Sequence, residues 1–180
     1  DGAPGLGYVL KPGFVLPPLM FSTEEVEALV LGSRWVSERG DPRLASAAGD
    51  ALAKIAAVLP AELRLELETS ALLVPPGLPV AEVGVHDAAI RQAIRQEHKL
   101  QLDYRDASGK SSRRTIWPFA LGYFDRVQVV VAWCELRQDL RHFRTDRIAS
   151  LQDSGQRYPC RRQALLKEWR AKELNAADRN

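Results

Sequence analysis

The chain has 180 residues, of which 46% are hydrophobic and 27% are charged, and its formal net charge is +2. This composition is typical of a soluble globular protein of one or two domains. No apolar run is long enough for a membrane helix, so we expect a cytoplasmic protein that does not contact a membrane. Two cysteines are too few for a disulfide framework or a four-cysteine metal site.

Charge is distributed unevenly along the chain. Residues 1–85 carry 6 basic and 11 acidic side chains, residues 86–150 carry 12 and 8, and residues 151–180 carry 7 and 4. The first half is therefore acidic and the second half basic. We expect any anionic partner to bind the second half.

The first third of the chain predicts a short strand and then a helical hairpin. Residues 5–11 have the pattern of a glycine turn followed by a strand. A helix is predicted after Ser22, where Glu25 completes a capping box. A second helix is predicted at Asp41-Pro42 and ends before Pro60. Two such helices bury too little surface alone, so their apolar stripes must pack on the rest of the chain or on a second copy.

The middle of the chain changes from helical to strand periodicity. Residues 66–86 mix a short apolar stretch with prolines and predict a strand-like link, and a helix is predicted for 87–99. Apolar residues then alternate with polar ones over 99–105, and a hairpin turn follows at 106–110. Pro118 in the returning strand predicts a sheet edge or a bulge, because proline cannot donate to a ladder.

Three further strands are predicted at residues 127–134, 140–145 and 148–151, and a final helix at about 161–174. Four or five short strands joined by hairpins favour a small antiparallel barrel. The predicted fold class is therefore α+β, with a helical hairpin, a small β-barrel and a helical extension.

Two segments near the end of the predicted barrel resemble the core of the WYL domain. They are Val131–Arg137, with the sequence VAWCELR, and residues 141–148, with the sequence RHFRTDRI. Weaker similarities to the same family lie at residues 102–105, at residues 117–118, and at the front of the chain. Gly7–Leu10 resembles the last strand of a winged helix-turn-helix domain, and residues 17–59 resemble the linker of YafY-like regulators.

The resemblance implies a division of the chain into four parts. Residues 1–20 would be a remnant of the wing and linker, and 21–85 a helical linker and dimerisation region. Residues 86–152 would form the WYL domain as an SH3/Sm-like barrel, and 153–180 a C-terminal extension. The chain would then be the regulatory, non-enzymatic part of a bacterial transcription regulator that lacks its N-terminal helix-turn-helix domain.

The same resemblance implies the partners. We expect a homodimer, in which the helical hairpin takes part, and an effector that is a nucleotide or a short single-stranded DNA. Promoter DNA would be bound only through the absent N-terminal domain. Effector binding would shift a pre-existing equilibrium between two arrangements of the full protein.

The candidate ligand-binding residues are basic side chains on the predicted strands. Arg141, Arg144 and Arg147 lie on or beside one strand, and their planar cations suit phosphate. Arg113 and Tyr104 are expected nearby, the tyrosine as a stacking ring. Strand alternation places Arg141 and Arg147 on one face and Arg144 on the other, unless the chain bends after residue 145.

A less specific interpretation of these residues stays open. The arginines would then pair at the surface with Asp139, Asp146 and Glu135, and Tyr104 would be a core residue with a satisfied hydroxyl. One departure from the family favours this alternative. The tripeptide that names the family falls at Gln128–Val130, so the sequence also allows a constitutive protein-interaction module whose ligand sensing has decayed.

The sequence offers no pattern for catalysis, a metal site or a cofactor. The three histidines, His86, His98 and His142, are far apart in the chain and have no cysteine cluster beside them. No nucleophile-elbow or phosphate-loop spacing is present. We therefore expect no catalytic residues, no metal and no cofactor.

Overall fold

The structure, a computed structural model, describes residues 20–75, 86–124 and 127–177. The glycine turn and strand predicted for residues 5–11 lie outside these ranges. The described elements are, in chain order, five α-helices, five strands and one short 3₁₀ turn. They are α1 (Thr23–Arg39), α2 (Pro42–Val58), α3 (Ala61–Thr69), α4 (Asp87–Gln96), β1 (His98–Arg105), β2 (Ser111–Tyr123), β3 (Gln128–Cys134), β4 (Asp139–Arg144), the 3₁₀ turn (Thr145–Arg147), β5 (Ile148–Arg157) and α5 (Arg162–Ala177).

The first two helices begin where local sequence signals place them. The Ser22 side chain accepts a hydrogen bond from the backbone of Glu25, whose own carboxylate accepts from the backbone of Ser22. Asp41 caps α2, accepting from the backbone of Arg43 and Leu44, with Pro42 in the first turn. The predicted capping box and the predicted start of α2 are therefore confirmed.

A third helix, which the sequence did not predict, follows α2, and α1 to α3 together form the helical unit. Residues 61–69 form α3, so the first residues of the expected strand-like link, 66–69, are helical instead. Its Leu63 and Leu67 pack with Val26, Val30 and Leu59 and with half-buried side chains of α2. Part of the apolar stripe of the hairpin is thus covered within its own chain.

The five strands form one antiparallel sheet in the order β4-β3-β2-β1-β5. The mixture of helices with an antiparallel sheet confirms the coarse fold prediction. Within the described residues, however, the ladder leaves β4 and β5 at the two edges, so the predicted closed barrel is not confirmed. The 3₁₀ turn at Thr145–Arg147 redirects the chain, and β5 then pairs with β1 rather than with β4.

Strand β2 contains a bulge close to the point where its pairing with β1 ends. The register with β3 shifts between Pro118 and Ala120, while the earlier part of β2 pairs regularly with β1. The register shift confirms the expected bulge beside Pro118. Because β1 pairs with β2 only as far as Ile116, the part of β2 that contains Pro118 pairs with β3 alone and is also a local edge, as the sequence allowed. Strand β5 is also longer than the predicted 148–151, since its polar second half continues to pair with β1.

Each face of the sheet is covered by one helix. On one face, Ile90 and Ala93 of α4 pack against Leu100, Leu102 and other strand residues. On the opposite face, Leu165 of α5 packs with Phe119. The side chains of β2 to β4 therefore alternate between two apolar layers, whereas the apolar side chains of β1 belong to the layer of α4.

Glu97 joins the two covering helices. It follows α4 in the left-handed conformation, with φ of 58°, and its backbone carbonyl accepts a hydrogen bond from Tyr158 at 3.0 Å. Its carboxylate accepts from the backbone nitrogen of Arg162, the first residue of α5, at 2.9 Å. This carboxylate also pairs with Arg161, and the hydrogen bond from Arg162 is the main cause that lowers the pKa of Glu97.

The helical unit contacts the sheet domain through buried polar groups. Asp41, 2% exposed, forms an ion pair with Arg91 of α4. Gln128, 4% exposed, donates to the carbonyl of Arg39 at the end of α1. No helix within residues 20–75, 86–124 and 127–177 is long and apolar enough to cross a membrane.

Candidate functional site

A polar cavity of about 340 Å³ opens where β1 ends and the 3₁₀ turn begins. The hairpin turn after β1 forms one wall, and the segment around Arg147 forms the other. The cavity is lined by Arg105, Asp106, Ala107, Asp146, Arg147, Ile148 and Ala149. The pairing of Tyr104 with Ile148 across β1 and β5 brings these two segments together.

Two guanidinium groups, those of Arg105 and Arg147, line this cavity. Among the ion pairs between described residues, neither group has a carboxylate within 4.0 Å. Arg147 is half-buried in the 3₁₀ turn, and Arg105 is exposed at the end of β1. Both are therefore available to donate hydrogen bonds to an anion.

The hairpin turn beside Arg105 is held by one carboxylate. Oδ1 of Asp106 accepts hydrogen bonds from the backbone of Ser108 and Lys110 and from the hydroxyl of Ser108. These hydrogen bonds lower the pKa of Asp106, with that of the Ser108 hydroxyl as the first cause. Asp106 thus stays charged, but its Oδ1 is engaged by hydrogen bonds within the turn rather than directed at the cavity.

Arg144 and Asp146 form the second part of the site. Nε of Arg144 lies 3.0 Å from Oδ1 of Asp146, and Nη2 lies 2.7 Å from Oδ2. This two-point contact lowers the pKa of Asp146 and raises that of Arg144, the hydrogen bond being the main cause for both. Arg144 therefore neutralises the carboxylate beside Arg147 and leaves the cavity with an excess of positive charge.

Tyr104 lies in the core beneath this region. Its ring meets that of Phe143 edge to face at 5.2 Å, and its hydroxyl accepts from the backbone nitrogen of Arg144 at 3.3 Å. This is the arrangement of a core tyrosine with a satisfied hydroxyl, the alternative that the sequence left open. Tyr104 joins β1 to the end of β4 and so positions Arg144.

Arg141 points away from Arg144. Both residues lie on the continuous strand β4, three positions apart, so the pleat directs their side chains to opposite faces. Arg141 is 54% exposed and pairs with Asp139 at 3.4 Å. Because the 3₁₀ turn interrupts the chain before Arg147, these three arginines do not form a single row.

Arg113 lies on β2 opposite Asp103 of β1. Its Nε is 3.3 Å from Oδ1 of that carboxylate, and the arginine is 79% exposed. The hydroxyl of Ser150 donates to the same carboxylate, and this hydrogen bond is the first cause of the lowered pKa of Asp103. Arg113 is thus at the surface beside the strand that carries Tyr104, and it does not line the cavity.

Arg105 was not among the predicted ligand-binding residues. In the sequence it is the last polar position of an alternating strand, a place typical of a solvated side chain. Its neighbour across the cavity, Arg147, is 42 positions later in the chain. Only the pairing of β1 with β5 makes the two adjacent, so periodicity alone gives no signal for this pair.

The family-like segments also have structural roles. Glu135 accepts hydrogen bonds from Lys99 and from the indole of Trp117, both at 2.7 Å, so its partner is a lysine rather than one of the three arginines. Both contacts lower the pKa of Glu135, that of Lys99 first. Gln128, at the start of the altered tripeptide, accepts from Thr145 at 3.5 Å in addition to its contact with α1.

Comparisons with known proteins show that this part of the chain is similar to the WYL domain. Residues 86–153 match the family model of the WYL domain. Among solved structures, the chain is similar to proteasome accessory factor B/C (PafBC) of Arthrobacter aurescens, with 28% sequence identity and a TM-score of 0.42. The similarity covers 79% of this chain and 22% of that one. The chain thus spans about a fifth of the length of that protein. It contains a WYL domain, formed by α4, β1 to β4 and the first residues of β5.

Proposed function

We propose that this chain is the ligand-sensing part of a bacterial transcription regulator of the YafY-like WYL class. A helix-turn-helix domain elsewhere in the complete protein would bind promoter DNA. The observation that carries the proposal is the cavity beside Arg105 and Arg147, because it lies within the segment that matches the WYL domain and presents two unpaired cations.

The effector would be a nucleotide or a short single-stranded DNA. Both carry phosphates, which guanidinium groups bind with two hydrogen bonds each. The cavity, about 340 Å³, has room for a phosphate and part of a sugar or base, and it is open, so a longer strand can continue over the surface. Arg144 would help when it exchanges its partner Asp146 for a phosphate, and Arg113 and Arg141 would contribute at longer range.

Direct binding to the intact chain tests this proposal. The probe is a fluorescently labelled single-stranded thymidine oligonucleotide, and anisotropy is measured from low to physiological salt. We expect saturable binding that weakens with salt, together with only weak, charge-driven binding of a duplex of equal length. If neither the single strand nor a nucleotide binds at low salt, the sensing assignment is wrong.

A second candidate function is a constitutive interaction module. Gln128 favours it, because the residue that begins the altered tripeptide is buried between the sheet and the end of α1 and serves as a structural contact. Under this alternative the domain would hold the helical unit in one arrangement regardless of effector. It predicts no change in hydrogen exchange of α1 and α2 when nucleotides or oligonucleotides are added.

A further inference from the structure

A second cleft, distinct from the cavity at Arg147, lies between the two helices that cover the sheet. Its volume is about 370 Å³. The floor is formed by β2 after its bulge, from Phe119 to Leu121, and the sides are formed by Ile94 of α4 and Leu166 of α5. The bulge lies in this segment, and residues two positions apart there face different apolar layers, Phe119 toward α5 and Leu121 toward α4.

The rim of this cleft is basic. Arg91, Arg95 and Arg162 line it, and among the residues that the structure describes no acidic side chain lines it. Arg91 is engaged by Asp41, and Arg162 donates to the carbonyl of Phe119 at 3.3 Å. Arg95 is exposed, and among the described residues its guanidinium has no carboxylate within 4.0 Å.

An apolar floor with cations on one side selects for a particular kind of molecule. A purely apolar ligand would leave the guanidinium of Arg95 unused, and a strand of nucleic acid would place several phosphates over an apolar floor. A volume of about 370 Å³ lies at the small end of the range for small-molecule sites, roughly 300–1,000 Å³. The complementary ligand is small, apolar over most of its surface, and anionic at one end.

We propose that the cleft between α4 and α5 binds a small amphipathic anion. Its aromatic or aliphatic body would lie on Ala120 and Leu121, and its carboxylate, sulfonate or phosphate would meet Arg95. This site is separate from the nucleotide site proposed above and does not depend on it. It also borders Arg91, so an occupant would lie beside the contact that holds the helical unit.

The test uses 8-anilinonaphthalene-1-sulfonate, an aromatic anion whose fluorescence rises in apolar surroundings. Titration of the intact chain should give saturable binding with one site per chain. Amide chemical shifts should change at Arg95, Leu121 and Leu166. Changes confined to the helices α1 to α3, or no saturable binding, would overturn the proposal.

Matched variants locate the anionic group. Arg95→Glu should raise the Kd of the dye about tenfold or more, because a charge-assisted contact is lost and a repulsive charge is added. Arg170→Glu makes the same charge change at an exposed arginine of α5 that does not line the cleft, and the Kd should stay within about twofold. Equal effects of both variants would show a diffuse charge effect instead of a site.

A third variant fills the floor. Ala120→Leu should weaken binding of the dye without any change in charge. Circular dichroism shows whether the variant is folded. If it does not fold, the comparison of Arg95→Glu with Arg170→Glu still tests the proposal.

An excess of single-stranded thymidine oligonucleotide should not displace the dye. Stoichiometric displacement would mean that the cleft is part of the nucleic-acid site, and the proposal would be wrong.

Discussion

Arg91 donates two hydrogen bonds to a single oxygen of Asp41, from Nε at 3.0 Å and from Nη2 at 2.5 Å. The other oxygen of that carboxylate accepts from the backbone at the start of α2. One side chain therefore caps a helix of the helical unit and also binds α4 of the WYL domain. Asp41 therefore combines a local helix cap with a contact to a residue 50 positions later in the chain.

Asp41→Ala should lower the free energy of unfolding by about 2 kcal/mol or more, because it removes a helix cap and leaves the half-buried guanidinium of Arg91 without its partner. Urea denaturation measures the effect. Asp41→Asn keeps a capping oxygen and loses the charge, so its cost should be smaller. Asp50→Ala, at an exposed position of α2, should change little. Similar costs for Asp41→Ala and Asp50→Ala would contradict the assigned role of the ion pair.

Asp87, one turn before Arg91, should make stability depend on pH. Its side chain is completely buried, and neither carboxylate oxygen has a hydrogen-bond partner among the described residues. Burial raises its pKa from 3.8 to about 6, and the nearby charge of Asp41 adds to the rise while Arg91 opposes it. The native state therefore holds this proton more tightly than the unfolded chain does. The contribution of Asp87 is fully present below pH 3.8 and is lost as the pH rises through about 6.

Replacing Asp87 by Asn tests this sign. The difference in pKa corresponds to about 3 kcal/mol at most, so the variant should be more stable than the native chain at pH 7 by up to that amount. Its urea midpoint should also vary less between pH 4 and pH 7. Asp50→Asn serves as the control. The assigned sign is wrong if the stability of the unmodified chain increases between pH 4 and pH 7 and Asp87→Asn abolishes this increase.

Local signals made the helical starts predictable. The capping box at Ser22 and the cap at Asp41 involve residues two or three positions apart, so the sequence contains the whole interaction. Helix α3 has no such signal. Its N-cap position is Pro60 and no side chain caps it, so α3 depends on packing against α1 and α2 that periodicity does not reveal.

The candidate site was predictable only in part. Strand alternation correctly separates Arg141 from Arg144, since both lie on one regular strand. The 3₁₀ turn before Arg147 and the pairing of β1 with β5 are tertiary features, and they alone bring Arg105 to Arg147. The polar end of β5 was missed for a similar reason. Its residues are strand because β1 supplies backbone partners, not because their side chains favour a strand.

Salt dependence should identify the arginines that meet phosphate. If about three arginines bind phosphates of a single strand, the slope of log K against log salt should be near −2, or about 0.7 per contact. Arg147→Ala should weaken binding and flatten the slope by about 0.7. Arg144→Ala should have a smaller effect, since Arg144 must first leave Asp146. Arg137→Ala, in an exposed turn, should leave the slope unchanged, and an equal effect there would rule out a localised site.

The predicted homodimer should depend on apolar residues that the helical unit leaves exposed. Leu52 and Ile55 already pack inside that unit, whereas Val58 and Leu65 are 78% and 60% exposed. Sedimentation velocity at tens of micromolar should show a dimer for the unmodified chain and a monomer for the double variant Val58→Glu, Leu65→Glu. Leu136→Glu, at a 63% exposed position in the turn between β3 and β4, should not change the mass. A monomeric unmodified chain would contradict the prediction.

The left-handed residue Glu97 gives the WYL domain a mechanical property. Its backbone ends α4 and binds the segment after β5, while its carboxylate receives the first turn of α5. We therefore expect a displacement of α5 on one face of the sheet to move the last turn of α4 on the other face. Asp87 lies at the other end of α4 and Arg91 lies in its middle, so we expect a displacement of α4 to reach the helical unit through the contact of Arg91 with Asp41. We therefore expect Glu97 to couple the position of α5 to the contact between Arg91 and Asp41.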